Sequence, residues 1–343
     1  MATVERYITE NNKRISHVKS LVKEKADELI LIPETQETPV SKGISWKDLV
    51  FSHPNRTIRL GTMFSGIGAI EHALQRLKLK HHIVFAGDVD AKCKQSYFAN
   101  YDIKEEDWFD DARTFDARRY NGQIDLLVGG APCQAFSMVG KRLGFEDARG
   151  TLFYEFARVI KETQPKVFIF ENVKGLINHD KGRTWMVMHS IFSELGYQVN
   201  YRVLNSKDYG IPQHRERIFC IGFHTPTKFA FPAPIPLEYK MYDFLEDYVD
   251  TKYFLKEKGI KFVTSHKNRI KCYTQINGDI ALCQKRNQQF NWHGDFVYHP
   301  MATDEILEED FDEFIFNVKE VEEKYYLSEK LRNYVLCPGT KNF

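Results

Sequence analysis

The sequence lacks several features that mark common classes of protein. It has no apolar run near the ~20 residues needed to span a bilayer, and its first residues lack the pattern of a signal peptide. Its six cysteines include no C-x-x-C pair, the spacing typical of zinc and redox sites, so we expect reduced thiols and no metal. The formal net charge is only +1, which limits any nucleic-acid surface to a local patch. We therefore expect a cytoplasmic protein that does not contact a membrane.

Apolar segments alternate with helix-like segments between residues 57 and 223. The predicted strands are TIRLGTMF, HIVFAG, IDLLVGG, KVFIF, YQVNYRVL and RIFCIGF, and the predicted helices are AIEHALQRLKL, AKCKQSYFANY, TLFYEFARVIKE and TWMVMHSIFSEL. The apolar face of the first helix is predicted to consist of Ile70, Ala73, Leu74 and Leu77. Strands that are apolar throughout are typical of a parallel sheet covered on both faces. The sequence therefore predicts an α/β fold with a Rossmann-like, doubly wound, mostly parallel sheet.

The chain is predicted to divide into three parts. Residues 1–58 are mixed and charged, with a helix-like stretch at 18–31, and are interpreted as an N-terminal extension. Residues 59–236 carry the alternation and form the predicted main domain. The prolines of FPAPIPLEY mark its end. Residues 237–343 lack the alternation, are first basic and then acidic, and are expected to serve a different purpose.

The segment FSGIGAIE follows the first predicted strand and indicates a ligand-binding turn. In a doubly wound sheet, ligands bind at the carboxyl ends of the strands. Gly66 and Gly68 allow a tight turn and a close approach of a ligand to the backbone. Glu71 stands where a dinucleotide fingerprint has its third glycine, which disfavours a pyrophosphate and suits an ammonium or sulfonium group. The alternative is that the glycines only turn the chain.

Two aspartates extend this site. Asp88 follows the second strand, about 20 residues past Gly68, where a carboxylate can accept hydrogen bonds from a ribose diol. Asp111 could accept a hydrogen bond from an adenine amino group. Together these residues suggest an adenosyl ligand without phosphates. The predicted cofactor is therefore S-adenosylmethionine.

Cys133 stands at the end of another predicted strand, in the segment GGAPCQAFS. Pro132 stiffens the approach to it, and a thiolate at a strand end is a candidate nucleophile. Cations lower the pKa of a thiol, and Lys141, Arg142 and Arg149 lie in the following glycine-containing loop. That loop suits a closing lid. A buried, inert cysteine is the alternative.

Glu171 and the segment QHRER complete the set of candidate residues. Glu171 would lie at the same sheet edge as Cys133 and is a candidate general acid, although a helix cap or an ion pair are alternatives. Gln213, Arg215 and Arg217 alternate on a segment predicted to be extended, so they are expected to share one face. Two guanidiniums on one face suit a phosphate or a polarised carbonyl. An ordinary solvated face is the alternative.

With FSGIGA, Pro-Cys-Gln, Glu-Asn-Val and Gln-x-Arg-x-Arg in this order, the chain resembles the DNA (cytosine-5)-methyltransferases from about Leu60 to Phe223. The resemblance implies a class I S-adenosylmethionine-dependent methyltransferase fold in residues 59–236, and a smaller target-recognition region in residues 237–343. It also implies that Cys133 adds to carbon 6 of a flipped-out cytosine in duplex DNA. Glu171 would then donate a proton to ring nitrogen 3, and Arg217 would hold the carbonyl at carbon 2.

The resemblance implies three sets of site residues. The catalytic set is Cys133, Glu171, Arg215 and Arg217. The cofactor-binding set is Phe64, Ser65, Gly66, Gly68, Asp88, Val89, Asp111, Pro132 and Leu152. The DNA-binding set is Gln134, Ser137, Lys141, Arg149 and Gln213.

The chain departs from the family pattern in two places. The family's ribose-binding acid is usually followed by an aromatic residue that stacks on adenine, where this chain has Val89. The family's terminal Thr-x-Arg-Glu-type motif and Gly-Asn-type helix are not found after residue 223. We therefore expect either a truncated chain or a second polypeptide that supplies the rest.

Three functions are consistent with these residues. The leading one is a bacterial or phage DNA cytosine methyltransferase of a restriction-modification system. The second is a catalytically incomplete DNA-binding subunit that needs a second chain, and the third is an RNA cytosine-5 methyltransferase. The basic and then acidic region after Pro236 favours DNA recognition but leaves RNA open.

Overall fold

The computed structural model describes residues 37–41, 50–132, 151–246, 249, 253–284, 292–299 and 335–337. The chain forms two compact units, Met1–Leu204 with Glu216–Ala233, and Asn205–Arg215 with Pro234–Phe343. The predicted helix-like stretch at 18–31 lies outside the described residues. The second unit thus begins close to the predicted boundary at 236 and also takes in residues 205–215. The functional division into three parts stays a prediction.

Seven strands and four helices are described in the first unit. The strands are β1 (Ile58–Met63), β2 (His81–Gly87), β3 (Trp108–Phe109), β4 (Leu126–Gly129), β5 (Val167–Val173), β6 (Gln198–Asn205) and β7 (Glu216–Phe223). The helices are α1 (Ala69–Arg76), α2 (Ala91–Asn100), α3 (Thr151–Thr163) and α4 (Arg183–Glu194). The alternation of strands and helices read from the sequence is therefore confirmed.

The seven strands form one sheet in the order β3-β2-β1-β4-β5-β7-β6. β1 pairs in parallel with β2 and β4, and β4 pairs in parallel with β5. β7 runs antiparallel to β5. The strand order reverses between β1 and β4, and such a switch point is where doubly wound sheets bind ligands. The predicted doubly wound, mostly parallel sheet is confirmed.

Helices bury both faces of this sheet, which explains why its strands are apolar throughout. The larger core cluster includes Phe153 and Phe156 of α3, Phe168 and Phe170 of β5, and Phe192 of α4. The second cluster includes Leu60, Leu74, Ile83, Tyr97 and Trp108. Because burying one such aromatic or aliphatic side chain contributes about 1.5–3 kcal/mol, these clusters hold the strand ends of the sheet in fixed positions.

The predicted apolar face of α1 is only partly correct. Leu74 is buried, but Ala73 and Leu77 are exposed. Glu71 takes the buried position instead, because its carboxylate accepts hydrogen bonds from Thr62 Oγ1 (2.9 Å) and Tyr97 Oη (2.6 Å). Two hydroxyl donors offset the cost of burying this polar group.

Residues 37–41 pair with the last strand of the sheet. The Thr38 N–H donates to the Tyr201 carbonyl on β6 (2.8 Å), and Arg202 Nη1 donates to the Thr38 carbonyl (2.8 Å). The Ser41 N–H donates to the Phe231 carbonyl (2.7 Å). This part of the N-terminal extension therefore covers backbone groups of a strand at the sheet edge.

The second unit contains a small mixed sheet and two short helices. The helices are α5 (Glu257–Thr264) and α6 (His266–Ile270), and the strands are β8 (Thr274–Ile276), β9 (Gly294–His299) and β10 (Val335–Cys337). The strand order is β10-β9-β8, with β8 parallel and β10 antiparallel to β9. Two core clusters are described in it, one of Ile260, Val263 and Phe296 and the other of Met241, Ala281 and Val297. Among the described helices of the whole chain, none is long and apolar enough to cross a membrane.

Candidate active site

The turn after β1 has a left-handed backbone and an open side. Phe64, Gly66 and Gly68 have φ angles of 56°, 57° and 88°. A side chain at Gly68 would clash with the Tyr101 ring, whose hydroxyl donates to the Gly68 carbonyl (2.8 Å). A Cβ at Gly66 would meet no atom within 4 Å. Glycine at these two positions therefore fixes the turn and leaves space for a ligand next to the backbone.

Hydrogen bonds join this turn to the end of β2. The Ser65 N–H donates to the Gly87 carbonyl, and the Gly87 N–H donates to Ser65 Oγ, both at 3.0 Å. The Asp88 carboxylate accepts the Gly66 N–H at Oδ2 and the Asp90 N–H at Oδ1, again at 3.0 Å. Each carboxylate oxygen has more than one lone pair, so Asp88 can hold the turn and still accept from a ligand hydroxyl.

Two large apolar side chains on these turns face solvent. Ile67 is 65% exposed and Val89 is 80% exposed. They flank the residues that the Gly66–Asp88 hydrogen bond joins. An apolar ligand surface placed over them would gain the free energy of removing them from water.

The prediction that the Glu71 carboxylate faces the ligand and favours a sulfonium group is wrong. Glu71 is buried in the sheet–helix interface, where Thr62 and Tyr97 donate to its carboxylate. Burial and the neighbouring Glu71 carboxylate raise the pKa of the Tyr97 hydroxyl, which keeps that hydroxyl a donor. Glu71 thus stabilises the junction of β1, α1 and α2 from inside.

Asp111 forms an ion pair with Arg113, a residue that the sequence does not predict for the site. Arg113 Nη2 donates to Asp111 Oδ2 at 2.7 Å, and Arg113 Nε lies 3.0 Å from Oδ1. These hydrogen bonds lower the pKa of the Asp111 carboxyl. The adenine contact proposed for Asp111 stays a prediction, and it would share the carboxylate with Arg113.

The segment after β4 runs alongside the end of β5. A Cβ at Gly130 would lie 3.0 Å from Glu171 Oε2, and Asn172 Nδ2 donates to the Ala131 carbonyl (3.3 Å). Pro132 follows and is exposed. The chain thus passes next to Glu171 immediately before position 133. The candidates Cys133, Gln134, Ser137, Lys141 and Arg149 themselves lie outside the described residues.

Glu171 and Arg217 form an ion pair at this sheet edge. Arg217 Nε lies 3.1 Å from Glu171 Oε1. In the antiparallel pairing of β5 with β7, Arg217 stands opposite Val173, two residues along from Glu171. Both side chains are therefore on the same face of the sheet as diagonal neighbours. The structure thus brings two predicted site residues together, and the contact is the ion pair given as the alternative for Glu171. The catalytic roles of both residues stay predictions.

The predicted shared face of Gln213, Arg215 and Arg217 is wrong. The Gln213 N–H donates to the Ile211 carbonyl (2.6 Å) and the Arg215 N–H to the Gln213 carbonyl (3.0 Å), which are bonds of tight three-residue turns. The backbone is therefore turned and not extended before β7. Gln213 and Arg215 belong to the second unit and Arg217 to the first. Arg215 Nη1 lies 3.7 Å from Cys283 Sγ.

Some residues of this region were missed by the reading of the sequence. Asn172 ties β5 to the segment before position 133, and Gly130 leaves room for the Glu171 carboxylate. The signals for them were the double glycine of GGAP and the asparagine of ENV.

Leu152, a predicted cofactor contact, is partly buried against the larger core cluster, and its contact with a ligand stays a prediction. No group of side chains suited to a metal occurs in the described part of the chain.

A seven-stranded sheet with this order, and with an acid and a glycine turn at its switch point, defines the class of S-adenosylmethionine-dependent methyltransferase folds. A family model described as C-5 cytosine-specific DNA methylase matches residues 58–337. The chain belongs to this family, which confirms the resemblance read from its motifs.

Curated relatives come from phages and bacteria. The chain is 39% identical over 231 residues to the orphan methyltransferase M.SPRI of Bacillus phage SPR, covering 58% of this chain and 52% of that protein. It is 41% identical over 215 residues to the type II methyltransferase M.HpaII of Haemophilus parainfluenzae, covering 60% of this chain and 58% of that protein. The chain thus spans about half the length of the curated relatives it matches.

A solved structure shares the fold. The crystal structure of the S. pombe Dnmt2 methyltransferase superimposes with a TM-score of 0.57 and 18% sequence identity. The superposition covers 80% of this chain and 92% of that one. At this identity the likeness establishes the fold alone.

Proposed function

We propose that the chain transfers a methyl group from S-adenosylmethionine to carbon 5 of a cytosine in double-stranded DNA. The observation that carries the proposal is the Glu171–Arg217 ion pair beside the segment that leads to Cys133. Family membership and the relatives' names support DNA as the substrate and a restriction-modification system as the setting. We place the reaction in the cytoplasm of a bacterial or phage-infected cell.

The residues after β1 and β2 fit S-adenosylmethionine, which supplies an electrophilic methyl group when bound. Asp88 has acceptor capacity for a ribose diol, and Ile67 and Val89 offer apolar surface to an adenine. The open side of Gly66 allows the ligand to approach the backbone. Phe64, Ser65, Gly68, Asp111, Pro132 and Leu152 complete the proposed cofactor contacts. Val89 covers less of an adenine than an aromatic ring does, so Ile67 contributes part of that contact.

The chemistry follows from the electron demand of the cytosine ring. The Cys133 thiolate forms a bond to carbon 6, while Glu171 gives a proton to ring nitrogen 3. Arg217 and Arg215 bind polar groups of the base and its strand, with Arg217 at the carbonyl oxygen of carbon 2. Carbon 5 then forms a bond to the methyl group as the methyl–sulfur bond breaks. The carbon 5 proton is then lost to solvent water, the thiolate leaves carbon 6, and the nitrogen 3 proton returns to Glu171, which restores the neutral aromatic ring.

A base in a duplex must leave the stack before a thiol can reach carbon 6, and this costs a few kcal/mol. We propose that residues 134–150 close over the flipped base. Gln134, Ser137, Lys141, Arg149 and Gln213 are the proposed DNA contacts. The side chains of Lys141 and Arg149 suit phosphates, because contacts to the phosphate backbone dominate the affinity of proteins for DNA.

The test is bisulfite sequencing of DNA from a host without its own cytosine methylation, expressing the 343-residue chain or its Cys133→Ser variant. The proposal predicts methylated cytosines at one short site with the parent and none with the variant. Each strain is prepared with and without the neighbouring reading frame, which tests whether a second polypeptide is needed. Unmethylated DNA in both parent strains contradicts the proposal, and methylated RNA with unmethylated DNA supports the RNA alternative instead.

A further inference from the structure

Asp295 is a carboxylate buried in the small sheet of the second unit. It is the second residue of β9 and only 4% exposed. Aspartate is depleted in strands, and burying a carboxylate is costly unless hydrogen bonds compensate. The hydrogen bonds that Asp295 accepts therefore determine what this buried carboxylate does.

Asp295 holds the segment that follows β8. The Leu282 N–H lies 2.8 Å from Asp295 Oδ2 and 3.0 Å from Oδ1. Gln275 Nε2 donates to Asp295 Oδ1 (3.0 Å) and to the Ile280 carbonyl (2.7 Å). A side chain at Gly278 would clash with the Gln275 amide, so glycine there leaves room for it. Asp295 thus fixes the backbone of residues 280–282 directly at one end and through Gln275 at the other.

That backbone in turn holds the Gln-x-Arg motif. The Ala281 N–H donates to the Pro212 carbonyl (2.8 Å), and the His214 N–H donates to the Ala281 carbonyl (2.7 Å). Gln213 and Ala281 form a parallel bridge. The Leu282 N–H that Asp295 binds and the Ala281 carbonyl that accepts from His214 belong to the same peptide group. Any displacement of Leu282 is therefore passed to Gln213 and His214.

The other side of the motif rests on the end of β6. Asn205 Oδ1 accepts the Arg215 N–H (3.1 Å), and Ser206 Oγ donates to the Gln213 carbonyl (2.7 Å). Asn205 and Ser206 are adjacent in the chain and hold the motif by neutral hydrogen bonds. Asp295 acts from the opposite side by a carboxylate, and hydrogen bonds to charged groups are the stronger kind.

We propose that Asp295 is a positioning residue that sets the place of Gln213 and Arg215 through the 280–282 backbone. Its consequence for the reaction rests on the proposed function, in which Gln213 and Arg215 contact DNA. A change at Asp295 should then raise the KM for DNA, while the KM for S-adenosylmethionine stays at the parental value because the proposed cofactor residues lie in the first unit.

The test is amide hydrogen exchange of the full chain with Asp295→Leu and Asp295→Asn. Leucine keeps the approximate volume and removes every acceptor, whereas asparagine keeps one. With leucine, the Ala281 and His214 amides should exchange about tenfold faster or more, and with asparagine by a smaller factor. Gly278→Ala, which displaces Gln275, should accelerate the same amides. The control is Thr274→Val, which removes the buried hydrogen bond from Thr274 Oγ1 to the Val263 carbonyl (3.0 Å), a bond in which residues 280–282 take no part.

Two results would overturn the proposal. One is parental exchange at Ala281 and His214 in a folded Asp295→Leu protein, or in Gly278→Ala where the leucine variant does not fold. The other is equal acceleration of these amides by Thr274→Val, which would mean a general loosening of the unit. Exchange rates need no turnover, so they decide the positioning role even if the parent transfers no methyl group. If the parent is active, partial recovery of the KM for DNA by asparagine relative to leucine supports the role, and equal KM values for all variants contradict it.

Discussion

Arg217 Nε lies 3.1 Å from Glu171 Oε1 across the antiparallel pair of β5 and β7. Antiparallel pairing places the two side chains on one face as diagonal neighbours. A carboxyl group and a guanidinium held this close can contact adjacent polar atoms of one planar base. Glu171 also lies beside Gly130, three residues before Cys133. This cluster is the basis of the proposed chemistry.

Glu171→Gln is expected to slow single-turnover methyl transfer by about 10²–10⁴-fold, the usual contribution of a general acid. The amide keeps the shape but has no proton to transfer to ring nitrogen 3. Affinity for duplex DNA should change far less than the rate. The matched control is Glu216→Gln, which removes a carboxylate from the ion pair (2.7 Å) between Glu216 of β7 and Lys174, the residue after β5. A rate for Glu171→Gln within about twofold of the parent would rule out the proton-donor role.

Asp88→Ala is expected to weaken S-adenosylmethionine binding about tenfold to a hundredfold, since the ligand hydroxyls lose a charged acceptor worth roughly 1.5–3 kcal/mol. The variant also frees the Gly66 N–H, which loosens the turn. Calorimetry measures the affinity. The control is Asp90→Ala, which removes the N-cap of α2 and should lower stability by about 0.5–2 kcal/mol with little change in affinity. Equal affinities for the parent and Asp88→Ala would move the ribose site elsewhere.

Asp125→Asn is expected to destabilise the sheet at neutral pH. Burial opposes ionisation of Asp125, but hydrogen bonds from Arg59 and Lys166 outweigh it and lower the pKa of the carboxyl. A lowered pKa means that the ionised group stabilises the fold above about pH 4 and that this contribution is lost as the pH falls. We expect a loss of roughly 1–2 kcal/mol at pH 7, a modest figure because Arg59 is 39% exposed. Urea denaturation should show the difference shrinking below pH 4, and a difference that is constant from pH 7 to pH 3 would refute this.

Asp295→Asn is also expected to change the pH dependence of stability, in the sense opposite to that of Asp125→Asn. Burial raises the pKa of Asp295 to about 6, although hydrogen bonds from Leu282 and Gln275 oppose the shift. The folded state therefore binds more protons than the unfolded state between about pH 4 and pH 6, and stability falls as the pH rises through that window. Relative to Asp295→Asn, the parent should lose roughly 2–3 kcal/mol between pH 4 and pH 7. Parallel stability curves for the two proteins would show that Asp295 does not titrate in this range.

The sequence was sufficient to predict the positions of several site residues because they lie near the ends of strands. Asp88 follows β2 and Glu171 lies in the last part of β5, and an apolar run shows where a strand ends. The antiparallel direction of β7 was not predicted, since the periodicity of a strand contains no information about its pairing partner. Because the contact between Glu171 and Arg217 depends on the pairing of β5 with β7, the periodicity of the two strands does not predict it. The family motifs do indicate that both residues belong to one site.

Local periodicity failed where a polar group found partners far along the chain. The turn motif predicts that Glu71 faces the ligand, yet Glu71 is buried and Tyr97 donates to it from α2. Gln213 and Arg215 read as part of an extended segment, yet the backbone turns there and pairs with Ala281. The sequence pattern does not distinguish Asp295, and only its hydrogen bonds to Leu282 and Gln275 reveal its place.

Covalent trapping on DNA decides whether Cys133 is the nucleophile. Duplexes copied from genomic DNA with 5-fluorocytosine are incubated with the parent and S-adenosylmethionine, and the complexes are digested and analysed by mass spectrometry. Fluorine at carbon 5 cannot leave as a proton does, so the thiolate cannot be released after methyl transfer. We predict a methylated nucleotide on the peptide that contains Cys133, retained in Cys283→Ser and lost in Cys133→Ser. An adduct on any other residue, or parental methylation of ordinary duplex DNA by Cys133→Ser, would contradict the proposed mechanism.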